Sequence, residues 1–204
     1  MEYLRAELHC HNIFSNGHVG SLEPIHDCNV TIPQQLEQAY LAGLNVLFVT
    51  NHNTIDGYKQ MLEYKKNHQK FDELKVYPAE EVTTNNEAHV LVYGIDHVIK
   101  SGLSLHEILD EAKKQNAVTI APHPFSLLDA LRDDSIYCDL FEVFNSSNVD
   151  VHSNLRAKNF ASDRDLYVVA GSDSHVRSTI GRSTNLIYSE NKLDSVIDAM
   201  KHHN

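Results

Sequence analysis

The chain has 204 residues, a mass of 23.1 kDa and 42% apolar residues, enough to close one sizeable core. Seventeen basic against 28 acidic residues give a formal charge of −11 with histidine neutral, which argues against broad binding to nucleic-acid backbone or anionic membrane. No apolar run approaches the roughly 18 residues of a membrane helix, Met1-Glu-Tyr-Leu-Arg-Ala-Glu7 lacks the regions of a signal peptide, and Cys10, Cys28 and Cys138 form no CxxC pair, so a cytoplasmic setting is expected.

The first predicted strand is Leu4–His9. Thr31-Ile-Pro-Gln34 then caps a helix that carries Leu36 and Tyr40 on one face and stops at Gly43. Strands follow at Val46–Thr50, Lys75–Ala79 and His89–Tyr93. Ser104-Leu-His-Glu107 is a capping box, with Leu105, Ile108, Leu109 and Ala112 at helical spacing behind it. Strands recur at Val118–Ala121, Leu140–Phe144, Leu166–Ala170 and Asn185–Tyr188, and Leu193, Val196, Ile197 and Met200 pattern a last helix. Val46-Leu-Phe-Val49 and Leu166-Tyr-Val-Val-Ala170 are continuously apolar, as strands buried on both faces are. The alternation predicts an α/β fold with a mainly parallel sheet of seven or eight strands, closed or nearly closed into a barrel.

Fourteen histidines stand out, and many follow predicted strands. His9 and His11 follow the first, His52 the second, Glu80 and Glu81 the third, His123 the fifth, Asn145 the sixth, and Asp173 with His175 the seventh. In a β/α barrel such positions converge on one face. His89 begins its strand instead, so it reaches that face only if the strand runs antiparallel or the sheet is irregular there. His9-Cys-His11 places two imidazoles on one side of an extended segment, and Asp173-Ser-His175 repeats the spacing with a carboxylate. Adjacent Glu80 and Glu81 at a buried strand end repel each other unless a cation compensates. Prolines flank His123 and stiffen its backbone. Imidazoles with carboxylates and no thiolate set suit Zn, Mn or Fe, and eight to ten candidates suffice for two or three ions. His26, His68, His97, His106, His152, His202 and His203 are read as non-functional.

From Glu7-Leu-His-Cys-His11 to Gly171-Ser-Asp-Ser-His175 and Gly181-Arg182, the chain resembles the PHP (polymerase and histidinol phosphatase) family of metal-dependent phosphoesterases. The resemblance implies a distorted seven-stranded β/α barrel, one hydrolase domain over residues 1–204, and two or three divalent ions (Mn, Fe or Zn). It implies His9, His11, Glu81 and Asp173 as ligands of one ion, and Glu81, His89 and His123 as ligands of a second, with Glu81 bridging. A third ion in the family takes an acidic or His residue soon after HxH, together with residues resembling His52 and His175. The chain departs there: Ser15-Asn-Gly-His18 stands where Ser-Asp-Gly is usual, and Asn51-His-Asn53 where Asp-His-Asp or Asp-His-Asn is usual. Either His18 supplies the missing ligand or the third site is weak.

The activity so implied is phosphoric ester hydrolysis by a metal-activated hydroxide, on a small phosphomonoester or nucleotide. Arg177 and Arg182 are candidates for gripping the phosphoryl group, and Asp173 and His175 for delivering the leaving-group proton. A 5′-3′ exonuclease of short RNA or DNA is a second reading. It needs a basic groove or stacking aromatics, and the sequence shows no basic run beyond Lys65-Lys66 and no extended nucleic-acid surface. A metal-binding module with reduced catalysis is a third, supported by Asn16 and Asn51.

Overall fold

The computed structural model describes residues 1–18 and 26–202. Eight strands form one sheet: β1 (Glu2–Glu7), β2 (Val46–Val49), β3 (Lys75–Thr83), β4 (His89–Tyr93), β5 (Val118–Ala121), β6 (Leu140–Asn145), β7 (Val168–Gly171) and β8 (Asn185–Ser189). Five α-helices accompany them: α1 (Ile32–Leu41), α2 (Asp56–Lys65), α3 (Leu105–Lys114), α4 (Val151–Ser162) and α5 (Leu193–Lys201). The strand order is β7-β6-β5-β4-β3-β2-β1-β8. The pairs β1/β2, β2/β3, β5/β6 and β6/β7 are parallel, whereas β4 is antiparallel to both neighbours and β8 is antiparallel to β1. The sheet curls into a nearly closed barrel with one strand more than the seven expected. Between its edges the Asn185 side chain accepts from the Ala170 N–H at 2.9 Å and donates to the Ala170 carbonyl at 2.7 Å.

The run Val46-Leu-Phe-Val49 shows why the strands read as they do. Val46 and Phe48 point into the barrel with Leu4, Leu91 and Tyr93. Leu47 and Val49 point outward onto Leu36 of α1 and Met61 of α2. Alternation on a strand buried on both faces leaves no polar position. On the other flank Ile108, Ala112, Ala157 and Ala161 of α3 and α4 cover Val90, Val92 and Phe141. Val196, Ile197 and Met200 of α5 join the interior cluster that contains the starts of β2, β5 and β6. Helix α5 therefore plugs one end of the barrel and leaves the opposite rim to polar groups.

The sequence signals give α1, α3 and α5 but not α2 or α4. Helix α4 buries Ser153, Ala157 and Ala161, a stripe too small and too weakly apolar to register as a hydrophobic face. The apolar run Leu166–Ala170 suggests burial on both faces, but β7 is an edge strand and Val168 is 51% exposed. Strand β3 runs on to Thr83, so Glu80 and Glu81 lie within it rather than after it. Among the described residues no helix is long and apolar enough to cross a membrane. His203 lies outside the described residues.

Candidate metal centre

The rim opposite α5 is assembled by pairing beyond the named strands. Cys10 bridges Ser174 in parallel, the Asp173 N–H donates to the His9 carbonyl at 2.7 Å, and the His11 N–H donates to the Ser174 carbonyl at 3.0 Å. The His9-Cys-His11 and Asp173-Ser-His175 segments thus lie side by side and in register. His52 bridges Glu81 in the same manner. His89 arrives because β4 is antiparallel, which puts the first residue of that strand at the rim opposite Thr83. Left-handed φ angles at Asn53, His123 and Asp173 mark strained backbone around these donors.

Glu81 is the hub. One carboxylate oxygen lies 3.4 Å from His9 Nε2, 3.2 Å from His11 Nε2 and 3.4 Å from His52 Nδ1. The other lies 3.1 Å from His89 Nδ1 and 3.2 Å from His123 Nε2. Asp173 Oδ1 stands 3.4 Å from His9 Nε2 and 3.3 Å from His11 Nε2. Asp27 Oδ1 meets His175 Nε2 at 3.1 Å. Among the described residues four clusters hold donor atoms within 4.8 Å of one another: His9/His11/Asp173, His9/Glu81/His123, His52/Glu81/His89 and His11/Asp27/His52/His175.

The donor set fits metal better than it fits hydrogen bonds. His11 Nε2, His52 Nδ1, His123 Nδ1 and Asp27 Oδ2 are buried and have no hydrogen-bond partner among the described residues. A buried polar atom left unpaired costs about 1–3 kcal/mol. His11 Nε2 is close to two carboxylates yet bonds to neither, the spacing of neighbouring ligands around a shared cation, whose metal–nitrogen bonds are about 2.0–2.1 Å.

Charges in the cluster lean on one another. Burial opposes ionisation of Glu81, but the His89 and His9 charges outweigh it and hold the carboxyl well below its usual range. Burial pushes His52 down to about 3, so its imidazole is neutral. Burial also opposes charge on His175, yet the Asp27 hydrogen bond and the Asp173 charge lift it to about 9.

Surrounding groups fix the rings. His9 Nδ1 faces Glu142 Oε1 at 3.1 Å, which leaves Nε2 toward Glu81 and Asp173. The second Glu142 oxygen accepts from the His123 N–H at 2.6 Å and from Asn145 Nδ2 at 3.0 Å, and Asn145 Nδ2 also donates to Asp173 at 3.1 Å. His11 Nδ1 sits 3.1 Å from Ser15 Oγ, which donates to Asn51. Asn51 also accepts the Asn12 N–H and donates to the Asn12 side chain, so it braces the loop.

One expectation is not met. His18 belongs to none of the clusters: it is exposed and engages Asn53 through its backbone carbonyl. Among the described residues the carboxylate that stands beside His11, His52 and His175 is that of Asp27, which no sequence signal marked. Asn16 explains the exchange. Its carbonyl oxygen accepts the Asp27 and Cys28 N–H groups at 2.7 and 2.9 Å, and its NH₂ donates to the Cys28 carbonyl at 2.9 Å. A carboxylate has no proton to donate to that carbonyl. The residue that departs from the family pattern pins the segment that carries Asp27. Arg177 and Arg182 are both exposed.

Glu80 points to the other face of β3. It is buried, accepts from the Ile99 N–H at 2.6 Å, and its second oxygen is unpartnered. Burial pushes its carboxyl up to about 8, offset only in part by Ile99. The native state therefore binds a proton that the unfolded chain has already released, and stability falls as pH rises from about 4.5 to 8. Glu80→Gln is expected to stabilise the fold at pH 9, on the order of 3 kcal/mol, and to leave it unchanged near pH 4.5. Equal melting shifts at both pH values would refute a protonated Glu80.

A PHP-associated family model (PHP_C) matches residues 151–204. The uncharacterized protein MJ1587 of Methanocaldococcus jannaschii is 33% identical over 152 residues, which cover 72% of this chain and 85% of that protein. PsfC from Pseudomonas syringae superposes with a TM-score of 0.68 at 19% identity, over 98% of this chain and 88% of that one. The lesion-specific endonuclease EndoQ from Pyrococcus furiosus superposes with a TM-score of 0.71 at 17% identity, over 99% of this chain but only 56% of the endonuclease. At these identities the two structures speak for the fold alone. Taken with the 33% identical relative, the matched C-terminal segment and the convergence of His9, His11, Glu81, His89, His123, Asp173 and His175 on one rim, they show that the chain belongs to the PHP family.

Proposed function

We propose that residues 1–204 form one metal-dependent hydrolase domain that cleaves a small phosphoric ester, a phosphomonoester or nucleotide. The observation that carries this reading is the Glu81 carboxylate set among five imidazoles, with buried ring nitrogens that no protein group satisfies. His9, His11, Glu81 and Asp173 would hold one ion, Glu81, His89 and His123 a second, and His52, His175 and Asp27 a third; Mn, Fe or Zn suit such donors. When bound, such ions polarise phosphoryl oxygens and acidify water. The chain's own groups do the rest. Glu142 and Ser15 hold the His9 and His11 rings in place. Asn145 orients Asp173. In a centre of two ions, without the third, the Asp27–His175 pair would instead keep a proton on the rim, where a leaving alkoxide would need one. Arg177 and Arg182, exposed beside Asp173 and His175 in sequence, are the candidate grips for a phosphoryl oxygen. Three free cysteines are in keeping with a cytoplasmic setting.

The test is phosphate release from an aryl phosphate and mononucleotides, with Mn²⁺ and with chelator. Chelator-sensitive turnover that disappears in His9→Ala is expected, and its absence in metal-replete protein would count against the proposal. Asp27→Asn is expected to remove one ion per chain from the metal count and to lower turnover about 10–100-fold, as loss of a supporting ligand does. An unchanged metal count would return the third site to His18 or to none.

Of the endonucleases among the structural neighbours, one is lesion-specific and one is seen with a 27-mer duplex substrate carrying an abasic lesion at its active site. This chain spans about 57% of the length of that DNA-bound enzyme.

A further inference from the structure

One buried carboxylate beside the rim stands apart from the ligands described above. Glu7 is fully buried and lies two residues before His9. Its Oε1 accepts the His9 and Ser172 N–H groups at 3.2 Å each, and its Oε2 accepts the Gly181 N–H at 3.0 Å. Ser172 and Gly181 are 165 and 174 residues away along the chain. A carboxylate in the interior is costly unless donors surround it. Here three backbone donors from three separate segments do.

The two oxygens close a loop. The residues from Ser172 to Gly181 leave β7 and return toward β8, and one carboxylate pins both ends. Between the pins lie the candidate ligands Asp173 and His175 and the candidate grip Arg177. The near end has further support. Ser147 Oγ donates to the Ser172 and Asp173 carbonyls at 2.9 and 2.7 Å, and Ser172 Oγ donates to the His9 carbonyl at 3.0 Å. At the far end, Ile180 is buried in one apolar cluster with Leu36 and Ala39 of α1. Gly181 has φ +77°, and a Cβ there would stand 2.8 Å from Ala42 Cβ, so the approach that brings its N–H to Glu7 needs glycine.

We infer that Glu7 is a positioning residue: it sets the Ser172–Gly181 loop in register with His9 and so fixes the distance between the His9 and Asp173 ligand atoms. The inference rests on the reading of the rim as a metal centre and needs no particular substrate. The His9 peptide is clamped from both sides, its N–H by Glu7 and its carbonyl by the Asp173 N–H and Ser172 Oγ. His9 Nε2 and Asp173 Oδ1 stand 3.4 Å apart as a result. Ligands of one ion hold their distances to about 0.2 Å, so a small shift of this loop is felt at the ion. Glutamine offers one carbonyl oxygen and an NH₂ group. Its oxygen can serve either the His9 and Ser172 donors or the Gly181 donor, and the NH₂ then opposes the other. One end of the loop is released.

The test is Mn²⁺ binding by equilibrium dialysis to wild type, Glu7→Gln, Glu7→Asp and Val196→Ala, with melting curves and amide hydrogen exchange on the same samples. Val196 is buried in α5, at the end of the barrel opposite the rim, and its truncation reports what lost stability alone does to metal binding. Glu7→Gln is expected to weaken Mn²⁺ binding about 10–100-fold, as loss of a group that orients a ligand does. Exchange at the Ser172 or Gly181 amide should speed up with it. Val196→Ala is expected to melt lower and to keep wild-type affinity. Glu7→Asp keeps both oxygens on a shorter stem, and its affinity should fall between wild type and Glu7→Gln. Wild-type affinity in Glu7→Gln overturns the inference. So does an equal loss in Val196→Ala at a matched melting shift, which would make the effect one of stability. If Glu7→Gln does not fold, Glu7→Asp decides, and an affinity unchanged from wild type counts against the inference. A wild type that binds no Mn²⁺ rejects the metal-centre reading and the inference with it, an outcome distinct from any difference among the variants.

Discussion

Glu81→Gln is expected to lower metal-dependent phosphate release by about 10³-fold or more and to strip bound metal from the protein. The side chain keeps its shape but loses the charge that faces His9, His11, His52, His89 and His123. Charge stabilisation by bound ions amounts to several kcal/mol, and each 1.36 kcal/mol is a factor of ten in rate. Glu80→Gln is the matched control, since that carboxyl lies one residue away and faces Ile99. Metal analysis and initial rates on the two variants give the comparison. Should Glu81→Gln retain its metal and turn over within tenfold of wild type, the hub role is wrong.

The second large effect concerns a position with no functional group. A Cβ on Gly171 would stand 2.0 Å from Glu142 Oε1 and 2.6 Å from His9 Cβ. Neither neighbour is free to retreat: Glu142 is buried and binds His9, the His123 N–H and Asn145. Gly171→Ala is therefore expected to cost about 3 kcal/mol, at the upper end of ordinary overpacking. That corresponds to a melting temperature lower by roughly 6–12 °C in a chain of this size. Metal affinity should fall with it by about 10–100-fold, because the carboxylate that orients His9 must move. The double variant Gly171→Ala/Glu142→Ala separates the two effects. Removing the clashing carboxylate should recover part of the melting temperature and none of the metal affinity. An unshifted melting curve for Gly171→Ala would mean that the close approach is not as drawn.

Much of this centre can be read from the chain because strand ends are conspicuous. An apolar run followed by His, Glu or Asp is a simple signal, and it holds for His9, His11, Glu81, His123, Asp173 and His175. His89 was ambiguous for a definite reason: a residue at the start of a strand reaches this rim only if the strand is reversed, and β4 is. Asp27 was illegible because it lies outside every strand and helix, in a segment without periodicity. Its position depends on three hydrogen bonds between Asn16 and the backbone of Asp27 and Cys28, and an amide that pins backbone looks, in sequence, like a lost ligand. Glu142 was overlooked although Leu140-Phe-Glu-Val-Phe144 holds a charge inside an apolar strand, a pattern that itself asks for a buried partner.

The spacing of the donors along the chain has a consequence for how the protein comes apart. The groups that meet at the rim come from segments spread along the chain, from His9 and His11 near one end to Asp173 and His175 near the other. Each bound ion would act as a cross-link closing very long loops, and the entropy of closing a loop rises only slowly with its length. Opening any one of the contributing strands dismantles a ligand set, so the ions would couple the first and last strands of the barrel into one cooperative unit. Hydrogen exchange at β1, β3, β5 and β7 should then slow together when metal is added, while the exposed surface of α4 keeps its own pace.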